Sequence, residues 1–238
     1  QIPGQSFPLK DVSDVFQTGG QWIGFFFCLR MALKLRHVAS RLSKTPSSSL
    51  SRQEEMSRRA EIRSTKRAWW AWLCLAIGIA FYGSAGLIWT SYDVRMPTAQ
   101  VPYPGLYDIG YVLAYPFFLI GTVLLARRGR STAGRTRLLL DAFAIIGTSV
   151  ALSWFFLLGP SIASLSQSPG PLAAVLALYF PAGDLLLIAI GVLLLFSPLS
   201  TREQEPVLLR LCLGLSCLAT ADSLLGYLNL TSGFNTGT

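Results

Sequence analysis

Long apolar runs, separated by short stretches dense in arginine and lysine, constrain this chain more than any other feature. In hydrocarbon the backbone N–H and C=O groups find no water. A run of about 20 apolar residues at membrane depth must therefore satisfy them within itself, as a helix. Five stretches have that length: 68–89, 106–126, 138–158, 172–196 and 207–230. A sixth, 15–35, is diluted by Gln17, Gln21, Arg30 and Lys34; the two cations sit near one end, where long side chains reach the headgroups. The expected fold is all-α, a polytopic transmembrane helical bundle of about six spans forming a single membrane domain over 1–238.

Charge supports that fold and orients it. Only 13% of the 238 residues are charged, about half the usual share for soluble domains, which is too few to cover an aqueous surface. Nine of the twenty Lys and Arg fall in 36–67 and five more in 127–137. Both clusters lie between apolar runs, where the positive-inside rule expects cytoplasmic loops. The intervening stretches 91–105 and 159–170 hold only Arg95. The N-terminus and residue 238 are thus expected on the outer side of the membrane. Topology and contact with anionic lipid account for the formal charge of +8 without a nucleic-acid partner. Trp69, Trp70, Trp72, Trp89 and Tyr92 stand near the ends of the second run, as an interfacial aromatic belt does.

The basic loop 36–67 divides into two arms around Thr45-Pro46-Ser47-Ser48-Ser49. Ser51 followed three residues later by Glu54 is a capping-box pattern, which predicts a helix running from there into the second span. A weak αα-hairpin repeat of about 65 residues is also visible. Val112-Leu113-Ala114-Tyr115-Pro116 parallels the stretch from Val175 through Tyr179 to Pro181, each after a loop rich in Pro and Gly. Chain start at Gln1, without Met, and a final stretch resembling another external loop lead to the expectation of a longer parent with at least one further span.

Candidate chemistry rests on carboxylates at membrane depth, which are costly and by default functional. Asp108 and Asp141 lie at span ends, where a helix N-terminus favours negative charge, so a structural role is expected of both. Asp184 lies deep in its span, three residues after Pro181, where a kinked backbone is expected. It serves either as an acceptor for freed backbone N–H groups or as a proton, cation or ligand site, with Tyr179 nearby. Asp222 shares a helix face with Cys212, Ser216, Ala219, Ser223 and Tyr227, spaced three to four apart. Small and polar stripes of this kind usually mark helix packing, with a lined cavity, including Ser223, as the sharper reading. The stripe Gly78, Tyr82, Gly86 and Trp89 is read in the same way. Gly20 and Gly24 form a GxxxG spacing, a common and weak dimerisation signal. Pro116 and Pro181 are the expected helix kinks.

The remaining types point away from catalysis. The single histidine, His37, lies in a basic loop, and Lys34 is the only lysine inside a run; paired-histidine haem ligation, a histidine metal site and a buried Schiff-base lysine are therefore not expected. The four cysteines, Cys28, Cys74, Cys212 and Cys217, fall in apolar segments and read as small hydrophobes, free of disulfide or metal. No nucleophile, base and orienting group fall together. An enzyme, and any cofactor or metal, are not expected.

The segments Tyr107-Asp108-Ile109-Gly110-Tyr111-Val112-Leu113-Ala114-Tyr115-Pro116, Leu138-Leu139-Leu140-Asp141-Ala142 and Tyr179-Phe180-Pro181-Ala182-Gly183-Asp184-Leu185-Leu186-Leu187 carry a resemblance. Together they resemble the multi-helix N-terminal membrane region of bacterial signalling proteins that end in diguanylate cyclase or histidine kinase domains. The likeness spans 68–230 through short hydrophobic motifs, and no cyclase or kinase module is present. It implies a sensor or input module in the bacterial inner membrane, with membrane lipids, and a homodimer or larger membrane assembly, as partners. A transporter-like permease and a structural subunit of a membrane complex are the alternatives.

Overall fold

The computed structural model describes residues 9–44, 51–95, 101–126 and 170–195, together with scattered positions in 140–162 and 213–217. Four helices account for the continuous segments: α1 Leu9–Lys44, α2 Arg52–Arg95, α3 Leu106–Ala126 and α4 Pro171–Leu195. No strand occurs among the described residues. Among the described residues three helices are long and apolar enough to cross a membrane, over Arg52–Tyr92, Leu106–Leu125 and Pro171–Ala189. The sixth and weakest run of the sequence lies inside α1, which is helical but outside that set, because its Gln, Arg and Lys residues dilute it. The run 138–158 is described only at scattered positions, and 207–230 lies largely outside the described residues.

Residues 1–101 with 105–118 form one compact unit, and 102–104 with 119–238 form another. The first unit is built on an antiparallel pair, α1 against α2. Arg58 donates from Nε to the Leu42 carbonyl at 3.2 Å, Arg36 lies 5.9 Å over the Trp69 ring, and Phe27 meets Trp72 edge-on at 6.0 Å. Further along, a Cβ on Gly24 would lie 3.8 Å from Ile79 Cδ1, and Gln21 reaches Gly83 and Gly86. The seam has heptad spacing. Cys28, Ala32, Leu35, Ala39 and Leu42 on α1 are buried or half-buried at alternating steps of four and three. Arg58, Ile62, Thr65, Trp69, Trp72 and Ala76 answer them on α2. That repeat keeps one face of each helix turned to the other along a shallow supercoil.

The first arm of the basic loop, 36–44, is therefore helical as part of α1, and the second arm, expected to be a helix, is the start of α2. The predicted capping box starts α2: the Ser51 N–H donates to Glu54 Oε2 at 2.8 Å, and the Glu54 N–H donates to Ser51 Oγ at 3.3 Å. At the opposite turn Arg58 satisfies a last-turn carbonyl of α1 that no helical N–H can reach.

The other side of α2 receives the first half of α3 through an aromatic zipper. Phe81 stacks on Phe117 at 5.6 Å, Tyr82 meets Tyr111 at 4.8 Å, and Trp89 meets Tyr107 at 4.9 Å. Close approach depends on glycine. A Cβ on Gly78 would fall 2.7 Å from Phe118 Cδ1, and one on Gly110 would fall 2.9 Å from both the Phe81 carbonyl oxygen and Ala85 Cβ. The small and polar stripe of α2 is thus a packing surface, shared between α3 at Gly78, Tyr82 and Trp89 and α1 at Gly86. Gly24, the second glycine of the GxxxG spacing, faces α2 of its own chain.

Burial is inverted relative to a water-soluble bundle. The outward faces of the helices carry Ile23 and Phe26 on α1, Leu106, Ile109, Leu113 and Ile120 on α3, and Leu172, Val175 and Leu186 on α4. Polar side chains turn inward: Asp108, Thr122 and Asp184 are all buried. Among the described residues these apolar outward faces are compatible with a membrane protein.

Candidate functional site

In the second unit the sequence candidate Asp184 is buried, 2% exposed. Gly170 accepts from the Ala174 N–H at 3.2 Å and Pro171 fills the first helical position, so α4 starts where a missing proline N–H costs nothing. From there Ala173, Leu176, Asp184 and Leu187 recur on one buried face, and Leu172, Val175, Ala182 and Leu186 on the exposed one. The carboxylate therefore points inward, where the membrane tolerates an ionisable group.

Pro181 shares that buried side, and α4 runs through it without a break. A proline in a continuous helix frees the carbonyl four residues earlier, here that of Ala177, and frees no N–H. Pro116 likewise lies inside an unbroken α3, but on its exposed face. Tyr179 is half-buried and stands about 140° around the helix from Asp184. The two are not side by side on one face. Asp222 and Ser223, proposed with them, lie outside the described residues, as does Asp141.

Asp108 has the structural role expected of it. Its Oδ2 accepts from the Gly105 N–H at 2.8 Å while its own N–H donates to the Gly105 carbonyl at 3.2 Å, which closes the first turn of α3 reciprocally. Among the cysteines, Cys28 is buried, Cys74 half-buried and Cys217 exposed, all free thiols.

The first unit contains a polar group that the sequence did not single out. Gln21 counted only as an interruption of an apolar run. In the fold its amide lies over the glycines of α2: a Cβ on Gly86 would sit 3.2 Å from Gln21 Oε1 and 3.9 Å from the Tyr111 hydroxyl. Trp22 Nε1 borders the same groove, 3.6 Å from the Cβ position of Gly83. Gln21 Oε1 is buried with no hydrogen-bond partner among the described residues. A desolvated acceptor of this kind costs about 1–3 kcal/mol, a cost that any arriving donor relieves. The sequence signal was the pairing of Gln21 with two glycines three apart, Gly83 and Gly86, but 62 residues separate Gln21 from the nearer one.

No family model, curated protein or solved structure matches the chain.

Proposed function

We propose that the chain is the membrane-embedded input module of a bacterial signalling protein, without catalytic activity of its own. A ligand, lipid or proton biases helix packing, and the bias passes to a cytoplasmic effector. The observation that carries this reading is the continuity of α2. One unbroken helix of 44 residues, about 66 Å long, links the Gln21 and Tyr111 groove at Gly86 to a charged arm ending at Arg52. A hydrocarbon core takes up only about 30 Å of that length. With α1 zipped along it, a shift at the groove reaches the far end of the arm as a rigid-body movement, the kind of two-state element that coupling needs.

About six spans, an inner-membrane location and an outer N-terminus belong to the same proposal. Support for α1 as a span comes from its position: its residues 21–28 lie beside the apolar part of α2 and turn Ile23 and Phe26 outward. The resemblance of the α3 and α4 segments to membrane input regions agrees with it.

The second reading, a permease, is favoured by one observation, the inward carboxylate of Asp184 on a proline-containing helix. Two measurements separate the readings. The intact mass and terminal sequences of the native protein should reveal a cytoplasmic signalling domain beyond Thr238. The chain reconstituted in liposomes with a trapped pH dye should show no proton flux. Flux that disappears in Asp184→Asn would reject the input-module reading in favour of transport.

A further inference from the structure

The arm formed by the ends of α1 and α2 extends further than a membrane protein needs for topology alone. Between Arg52 and Ile77 the sequence has neither glycine nor proline, and α2 is helical throughout. The arm therefore has no joint at which to fold down onto the bilayer. Residues 52–67 add about 24 Å beyond Ala68. Along one face of this segment Arg52, Met56, Arg59, Arg63 and Lys66 recur at steps of three and four, all exposed, and the face ends at Trp70. Met56 is 60% exposed and Trp70 51% exposed. The face lies away from the α1 seam, which uses Arg58, Ile62 and Thr65 instead.

We infer that this face is a docking surface for an acidic amphipathic helix of a soluble protein partner. The inference rests on the membrane-embedded reading above. Reach argues against lipid. Lys66 and Arg63 stand within about 8 Å of Ala68 along the axis, but Arg59 and Arg52 stand about 14 and 24 Å away. The headgroup layer adds about 5–8 Å per leaflet, and its potential decays within a Debye length of about 8 Å. Arg52 and the exposed Met56 are therefore outside what a bilayer holds. A second copy of the chain brings the same excess, nine basic residues against three acidic ones in 36–67, and is repelled. Composition argues against nucleic acid. Glu54, Glu55 and Glu61 are interleaved with the cations, Arg59 is paired with Glu55, and an apolar side chain lies mid-stripe. Phosphate binding favours none of these, whereas a helix with Glu or Asp flanking an apolar anchor matches them all.

The test uses the full chain in nanodiscs of neutral phosphatidylcholine and a fluorescent helical peptide with Glu on one face and Leu on the other. Saturable binding is expected, weakening at least about tenfold in the Arg52→Glu, Arg63→Glu double variant. In Met56→Ala it should weaken about threefold. Both variants should retain the wild-type far-UV helical signal, since Glu at position 52 suits a helix N-terminus and Glu at position 63 precedes Arg67 by one turn. Absence of saturable binding overturns the inference. So does tighter binding of a DNA duplex, or a double variant that loses affinity for phosphatidylglycerol vesicles while still binding the peptide. Failure of the chain to incorporate into nanodiscs would instead overturn the membrane reading and this inference with it.

Discussion

Replacing Gly110 by alanine tests the packing of α2 on α3 where it is tightest. The added Cβ would lie 2.9 Å from the Phe81 carbonyl oxygen and 2.9 Å from Ala85 Cβ, whereas ordinary contact begins near 3.4 Å. Neither obstacle is the free end of a flexible side chain: one is helix backbone and the other a Cβ fixed to it. The helices must therefore part by several tenths of an ångström. Parting loosens the Phe81–Phe117, Tyr82–Tyr111 and Trp89–Tyr107 pairs, all within two turns of Gly110 on either helix, and each such pair contributes about 0.5–1.5 kcal/mol. Overpacking of this kind costs typically about 1–3 kcal/mol. The gain in helix propensity from Gly to Ala offsets about 1 kcal/mol of that. A net loss of up to about 2 kcal/mol is expected. The assay is reversible unfolding of the full chain in mixed micelles of rising sodium dodecyl sulfate fraction, followed by tryptophan fluorescence. Gly24→Ala is the control: its Cβ would meet only Ile79 Cδ1, at 3.8 Å, so propensity should leave it at or above wild-type stability. Gly110→Ala as stable as Gly24→Ala, which gains the same propensity without the close contacts, would refute the close approach of α2 and α3.

Asp108→Ala should destabilise by about 1 kcal/mol in the same assay, because the Gly105 N–H loses its acceptor, while Asp108→Asn, which keeps an acceptor oxygen, should lose less. Equal losses for the two would show that the hydrogen bond is not what matters. Glu54, well ahead of the apolar part of α2, has its carboxyl held below the usual carboxylate range, first by the Ser51 backbone N–H and then by the Ser51 hydroxyl. A pKa lowered by folding contributes stability above the unfolded pKa and loses it as pH falls through the folded one. The Ser51 amide, followed by nuclear magnetic resonance, should therefore titrate below the ordinary glutamate range; a midpoint at or above it contradicts the capping box. For orientation, single cysteines placed at the exposed Ser57 and Ser91 in a cysteine-free background should be labelled by a membrane-impermeant maleimide from opposite sides, Ser57 from the cytoplasm. Labelling of both from one side removes the span between them.

Much of the local structure was legible in the chain because it depends on neighbours in sequence. Apolar runs of spanning length predicted helices at 68–89, 106–126 and 172–196; α2 and α3 contain the first two, and α4 covers the third through Leu195. Ser51 with Glu54, and Asp108 at a helix start, were readable because a cap is made within four residues. Periodicity also says which side chains share a face, but not what covers that face, and there the tertiary structure decided. Gln21 looked like a flaw in a span until Gly83 and Gly86 gave its amide a groove. Gly24 looked available for a second chain until Ile79 occupied its place. Of the two arms of 36–67, the second was marked as a helix by Ser51 and Glu54, whereas the first looked like a loop because it is not apolar enough to be a stable helix by itself. That first arm rests on the second, where its Ala39 and Leu42 meet a complementary heptad of Arg58, Ile62 and Thr65. For Asp184 the sequence determined its depth, and only the packing of α4 determined that its carboxylate faces inward, with Tyr179 turned elsewhere. Depth follows from counting residues along a helix at a fixed rise; direction follows from what the helix rests on, and that partner is supplied from distant parts of the chain.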